Sequence, residues 1–241
     1  MTSLDTSHRI WKEEIMDDFD LELSQVESIY KDLDRVNRLL GGNKVSLHGI
    51  KQLLENKPRE QLYQVIDIGC GNGAMLRRIA DYAQSQGWSL ELTGVDANPV
   101  AIELARQQSA AYPNIAYKCL DVRSKEFEQL QADIFLCTLT LHHFKDETII
   151  GLMHTFMRSA RVGVVINDLQ RSKMAYHLFR MFAAVFIKNP IAVKDGLISI
   201  LRSFKKEDLQ SYQKQLPGGR HSLRWRWAFR YQWVIETDKA Y

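Results

Sequence analysis

Val65-Ile66-Asp67-Ile68-Gly69-Cys70-Gly71-Asn72-Gly73 is the stretch on which the reading of this chain turns. An apolar run of this length, stopped by glycine, suits a buried parallel strand. The glycines permit positive φ and let a ligand approach the backbone closely. Ala74 to Ala80 then reads as a helix, whose first turn offers free N–H groups and a partial positive charge. Strand, turn and helix N-terminus together make a nucleotide-sized site. Asp67 stands two residues before the first glycine, at the carboxyl end of a buried strand, where an ionised acid needs a partner.

Outward from this turn, strand and helix alternate. Leu90 to Val95, Ile115 to Cys119, Ala132 to Cys137 and Val162 to Ile166 read as further strands. Helical segments fall at 74–86, 99–111 and 146–158. Such alternation predicts an α/β fold with a mostly parallel, Rossmann-like sheet covered on both faces by right-handed crossovers. Ligands of such sheets bind beyond the carboxyl ends of the strands, so the residues just after each strand carry the information. Asp96 ends the second strand, before the N-cap Asn98 and the N1 residue Pro99. A carboxylate there can accept both ribose hydroxyls of an adenosine; a solvated acid near a helix N-terminus is the alternative.

The chain has 241 residues, 45% hydrophobic and 25% charged, with a net charge of +3. This is an ordinary globular composition with room for a sizeable core. The charge is too mild to imply nucleic acid. The polar, acidic start from Met1 to Asp20 does not read as a signal peptide. The longest apolar run, Met181 to Ile187, is too short to span a bilayer. Cys70, Cys119 and Cys137 are odd in number and widely spaced, which suits no disulfide framework and no metal pattern. A reduced, cytoplasmic protein without a bound metal is the expectation, in one domain spanning 1–241.

Residues 1–60 read as a helical extension. Ser24 and Glu27 form a capping-box signature before a helical stripe of Val26, Ile29, Tyr30, Leu33, Val36 and Leu39. Gly41-Gly42 ends that helix, and a second runs from about Ser46 to Glu55. The acidic residues Glu13, Glu14, Asp17, Asp18, Asp20 and Glu22 read as a solvated face. Residues 61–168 form the core domain. Residues 169–202 are too apolar for a surface helix, Tyr176, Phe179, Phe182 and Phe186 among them. They predict a helical lid over a greasy or aromatic ligand, with packing on the N-terminal helices or a homodimer contact as alternatives. In 203–241, Ser203 caps a last helix before a hairpin. Leu223, Trp225 and Trp227 share one face, packed under a helix, and Arg224 and Arg226 protect an edge.

The glycine turn fits two patterns. Gly69, Gly71 and Ala74 fill G-x-G-x-x-G/A, the weak signature of dinucleotide sites, so a nicotinamide-dependent oxidoreductase is one alternative. A non-catalytic protein that keeps the cofactor site is another. Asp67, Gly69, Gly71 and Gly73 fill acid-x-G-x-G-x-G completely. In this the chain resembles the class I S-adenosylmethionine-dependent methyltransferases, over roughly residues 61–241 less the lid. The terminal hairpin and the acid at Asp96 match that family too. The resemblance implies S-adenosyl-L-methionine as cofactor, with S-adenosyl-L-homocysteine as product. It implies contacts from Asp67, Gly69, Cys70, Gly71 and Gly73, ribose binding by Asp96 beside Ala97, and adenine binding by Asp121 and Val122. Cys137 and Thr138 complete the expected cofactor set.

Thr138-Leu139-Thr140-Leu141-His142-His143-Phe144 is similar to a segment of small-molecule members that lines the methionine end and the substrate pocket. His142 or His143 is a candidate general base, and local capping or packing is the alternative. Asn167 and Asp168 can hold or deprotonate a substrate, or cap the next helix. These segments, with Asn-Asp-Leu-x-Arg-Ser ending in Arg171-Ser172, resemble bacterial methyltransferases of quinone or polyketide biosynthesis. The expected acceptor is an apolar or aromatic small molecule, not a nucleic acid. Arg171, Tyr176, Phe179 and Phe182 are its candidate contacts.

Overall fold

The alternating segments close into one seven-stranded sheet of order β3-β2-β1-β4-β5-β7-β6. The computed structural model describes residues 4–17 and 21–237. The parallel strands are β1 (Leu62–Ile68), β2 (Ser89–Asp96), β3 (Ile115–Cys119), β4 (Ala132–Thr138) and β5 (Ala160–Leu169). The antiparallel hairpin is β6 (Arg220–Arg226) and β7 (Arg230–Glu236). Between the strands lie α3 (Ala74–Gln86), α4 (Pro99–Gln108), α5 (Lys125–Glu128) and α6 (Asp146–Ser159). The extension supplies α1 (Leu23–Leu39) and α2 (Gly42–Leu54); α7 (Lys173–Phe186), α8 (Pro190–Arg202) and α9 (Lys206–Gln215) precede the hairpin. This is the class I methyltransferase fold.

β1 is the switch point of the sheet. It pairs with β2 on one side and β4 on the other, so Ile68 lies level with both Val95 and Cys137. That register brings Asp67, Asp96 and Thr138 to one edge of the sheet, where a crevice must open because the crossovers leave in opposite directions. One face of the sheet packs Phe127, Phe135, Phe156 and Trp233 into a core; the other packs Ile50, Leu54, Leu76 and Ile79. α2 lies against β5 and β7, so the extension is part of the second core layer.

Several local expectations are corrected. The capping box of α1 is made by Glu22 and Gln25, each two residues before its counterpart in the serine signature. α2 starts at Gly42, directly after Gly41 takes a left-handed φ of 73°. Ser203 closes α8, and Lys205 is the N-cap of α9. Asn98 caps α4 as predicted, accepting from the amides of Val100 and Ala101 at 2.9 and 3.2 Å. Trp225 on β6 and Trp227 in the turn are exposed and not packed under a helix, because β6 is the outer strand of the sheet; Trp233 on β7 is the hairpin tryptophan that is buried. The apolar lid segment is not wholly buried either. α7 buries Ala175 and Ala183 and leaves Met174, Met181, Val185 and Phe186 exposed.

Candidate active site

The carboxyl ends of the parallel strands open into a cavity of about 1040 Å³. Its floor is the glycine turn. Gly69 and Gly71 have φ of 65° and 52°, values that disfavour a side chain, and a Cβ on Gly71 would stand 2.5 Å from the Tyr30 ring. Asp67 lines the cavity with Oδ1 lacking a hydrogen-bond partner among the described residues. Burial, with the Asp96 carboxylate second, pushes its carboxyl well above the usual range. Asp96 accepts from the amides of Gly71 and Asn98, both at 2.9 Å. Burial still raises its carboxyl despite those bonds. Ala97, Asp121 and Val122 continue this wall, and Asp121 is paired with Arg123 at 2.6 Å. Thr138 lines the cavity and shares a 2.7 Å hydrogen bond with Ser46 of α2.

Two members of the predicted cofactor set lie elsewhere. Cys137 is buried in the sheet core, since its side chain points to the face opposite the mouth. Gly73 faces the Tyr117 hydroxyl and forms the left-handed N-cap of α3; it gives that tyrosine room and does not line the cavity.

The other end of the cavity is built by long-range contacts. His142 and His143 lie in a single 3-10 turn after β4. His142 Nδ1 meets Asp168 Oδ1 at 2.7 Å, which orients the ring and turns Nε2 towards Glu14. Asp168 does not line the cavity; it stands behind His142 and acts through it. The residue that faces Nε2 is Glu14, 3.5 Å away and 4% exposed. Burial works against a charged imidazole here, but the carboxylates of Asp168 and Glu14 outweigh it and raise His142 to about 9. His143 Nδ1 lies 3.1 Å from Asp17 Oδ1. Burial opposes ionisation of Asp17, yet His143 and Arg202 hold its carboxyl at about 2. Arg202 Nη1 lies 3.2 Å from Asp17 and 3.6 Å from Glu14.

The expectation of a solvated face is corrected at Glu14, which is buried; Asp17 stays exposed but is paired with His143 and Arg202. Asp18 and Asp20 of that cluster lie outside the described residues. The segment 4–17 is tied across the mouth as a strap. Arg9 donates to the carbonyls of His142, Phe144 and Arg202 at 2.9, 2.8 and 2.7 Å. Asp195 on α8 accepts from the amides of Ile15 and Met16, both at 2.9 Å. Glu14, His142 and His143 are close enough to share a metal ion. The guanidinium of Arg202 beside Glu14 and the Asp168 bond to His142 already balance the charges of this cluster.

Leu139, Leu178, Phe179, Phe182 and Phe229 also line the cavity and make up its apolar chamber. Two predicted contacts are displaced from it. Arg171 turns away, bonding the Thr6 carbonyl at 3.1 Å, the Ser203 carbonyl and Asp208, so it tethers the strap and α8. Tyr176 lies off the chamber, because the face of α7 turned inward carries Ala175, Leu178, Phe179 and Phe182. Tyr30, Glu14 and Arg230 are cavity residues that the sequence reading did not single out as such. Tyr30 belonged to a stripe read as core; Glu14 and Arg230 carry no local signal at all.

The fold, the acid-and-glycine turn and the strand-end acid are those of the class I methyltransferase fold. Residues 65–163 match a family described as a methyltransferase domain. Among curated proteins it is similar to the ribosomal RNA large subunit methyltransferase G of Shewanella amazonensis, 26% identical over 54% of this chain and 35% of that protein. The Shewanella putrefaciens counterpart is 25% identical over 73% of this chain and 46% of that protein. The chain thus spans less than half the length of the curated relatives it matches. Its fold is similar to the plantazolicin methyltransferase BpumL in complex with SAH, with a TM-score of 0.64, 14% identity, and coverage of 89% of this chain and 95% of that one. The citrinin polyketide synthase CMeT domain has a TM-score of 0.60 at 13% identity, covering 79% of this chain and 51% of that one.

Proposed function

We propose that this chain transfers the methyl group of S-adenosylmethionine to oxygen or carbon of an apolar or aromatic small molecule. The observation that carries the reading is the continuity of one cavity. Its floor fits the cofactor, and its other end joins His142 to an apolar chamber. The unpartnered Asp67 oxygen suits the amino group of the methionine moiety, the Gly69–Gly71 backbone admits close approach, and Asp96 suits the ribose. Val122 stands where its backbone can meet the adenine. When bound, the cofactor supplies an electrophilic methyl group on a sulfonium.

The chain's own residues then supply alignment and a proton acceptor. Phe179 and Phe182 exclude water and hold a flat acceptor against the mouth, and alignment alone can provide much of the acceleration. Where the nucleophile keeps its proton, His142 Nε2 receives it, and Asp168 steadies the resulting imidazolium. With Glu14 also beside it, that ring is cationic at neutral pH, so the base form grows as pH rises towards 9. Glu14 and the strap therefore tune the base.

Methylation of ribosomal RNA is the second reading, favoured by the curated relatives. The strap and α7 over the mouth, and a net charge of +3, favour a small acceptor. Against an oxidoreductase stand Asp67 at the turn and the antiparallel hairpin. Calorimetry with S-adenosylhomocysteine and with NAD separates the cofactors; binding of the first alone is expected. Turnover on phenols, quinones and acyl pyrones, set against a ribosomal RNA transcript, separates the acceptors. Methylation of the transcript alone would overturn the small-molecule reading.

A further inference from the structure

Arg230 is the first residue of β7 and is 2% exposed, yet it lines the same cavity. Its Nη2 donates to Asn37 Oδ1 at 2.9 Å. Its Nε and Nη1 are buried and have no hydrogen-bond partner among the described residues. Of the other two arginines of the cavity, Arg123 is paired with Asp121, and Arg202 leaves Nε unpartnered but has its charge met by Asp17 and Glu14. Among the described residues Arg230 has no such ion pair. The nearest acid to act on it is Asp168, whose Oδ1 is held by His142 Nδ1 and by the Leu169 amide, both at 2.7 Å.

A buried guanidinium with one neutral partner is an expensive arrangement, since its desolvation is offset only by a paired anion. The fold nevertheless makes room for it. Gly42 lies where a Cβ would stand 2.7 Å from the guanidinium carbon, so a larger residue at the start of α2 would expel the group. Its chain neighbours Trp227 and Phe229 line the cavity beside it and are apolar.

We propose that Arg230 is a specificity-determining residue that pairs with a carboxylate on the methyl acceptor, so that the substrate class is an apolar or aromatic carboxylic acid. The inference rests on the acceptor chamber described under Proposed function. The carboxylate satisfies the two unpartnered nitrogens and neutralises the buried charge, and the hydrocarbon body fills the chamber between α7 and the hairpin. A neutral carbonyl would satisfy donors but leave the charge unmet, which is why an anion is the fitting occupant.

The test loads the full chain with S-adenosylhomocysteine and titrates it with a ladder of acids, each beside its primary amide: benzoate, 2-naphthoate and dodecanoate. For the member that best fits the chamber, the acid is expected to bind about tenfold or more tighter than its amide, as a buried charge pair should require. In Arg230→Met and Arg230→Gln that gap should close, with the affinity for S-adenosylhomocysteine unchanged. Two variants of different polarity keep the comparison alive if one does not fold. Equal affinity of acid and amide in the parent, no binding by any acid of the ladder, or a gap that survives in the variants overturns the assignment. Failure of the parent to bind S-adenosylhomocysteine overturns the methyltransferase reading instead, and is seen before any acid is added.

Discussion

The floor and the roof of the cavity are built in opposite ways. The floor is a run of near neighbours: Asp67, Gly69 and Gly71 follow one another along a single strand and turn, and Asp96 joins them through strand register. The roof gathers Glu14, Tyr30, His142, Phe182 and Arg230 from five separate parts of the chain. The floor is held by backbone hydrogen bonds and left-handed glycines, which allow little substitution. The roof is held by side-chain contacts such as Arg9 on the carbonyls of His142 and Phe144. A cofactor common to a whole class needs the first kind of construction, and acceptor selection suits the second, where each contact can change alone.

The largest expected effect lies on the floor. Gly71→Val puts a branched side chain at a φ of 52° and into the Tyr30 ring. S-adenosylhomocysteine binding should be lost in calorimetry while far-UV circular dichroism keeps the fold. Unchanged affinity in the folded variant would break the distinction between the two regions.

Asp96→Ala comes next. It removes the acceptor of the Gly71 and Asn98 amides as well as the proposed ribose contact. Cofactor binding should weaken by about 1–3 kcal/mol, the cost of stranding buried polar groups, and Asp96→Asn should be milder. If both variants bind like the parent, Asp96 is only a strand-end acid.

The roof should answer differently. Phe182 lines the chamber, whereas Phe186 is 44% exposed and stacks on it from outside at 4.7 Å. Phe182→Asp should raise the acceptor KM by about tenfold or more, the consequence of a charge in an apolar site, with cofactor affinity kept. Phe186→Asp should change KM little. If Phe186→Asp also converts a dimer to a monomer in light scattering, the outer face of α7 is an interface.

The smallest effect is a shift in a pH profile. Two carboxylates hold His142 at about 9, and Glu14→Gln removes one of them. A lost anion destabilises the imidazolium, so the pKa falls and the base form appears at lower pH. The rising limb of kcat/KM should move down by about one unit, the lower end of what a close opposite charge does. An unmoved limb would separate the strap from the chemistry and leave Glu14 a structural anchor.

Legibility followed the same division. The turn at Gly69–Gly73, the cap at Asn98, the five parallel strands and the terminal hairpin were all readable, because period, glycine and capping chemistry act over a few residues. The readings that failed depended on who the neighbour is. Glu14 looked like one more solvated acid until α8 and the 3-10 turn at His142 enclosed it. Arg171 sat in a recognisable segment, yet its guanidinium is spent on the carbonyls of Thr6 and Ser203. Cys137 and Gly73 were one pleat or one turn off the mouth, a distance that a motif does not resolve.

By itself, the sequence determined the sheet, its crossovers, the cofactor turn and the strand-end acids, since each follows from local backbone preference and a repeating apolar pattern. Only the tertiary structure decided that the N-terminal strap lies on His142, that one face of α7 serves the chamber while the other meets solvent, and that Arg230 is buried with two nitrogens unpartnered among the described residues. Those facts arise from segments far apart in the chain being forced to share one interior, where desolvation, and not residue type, sets what a charged group does.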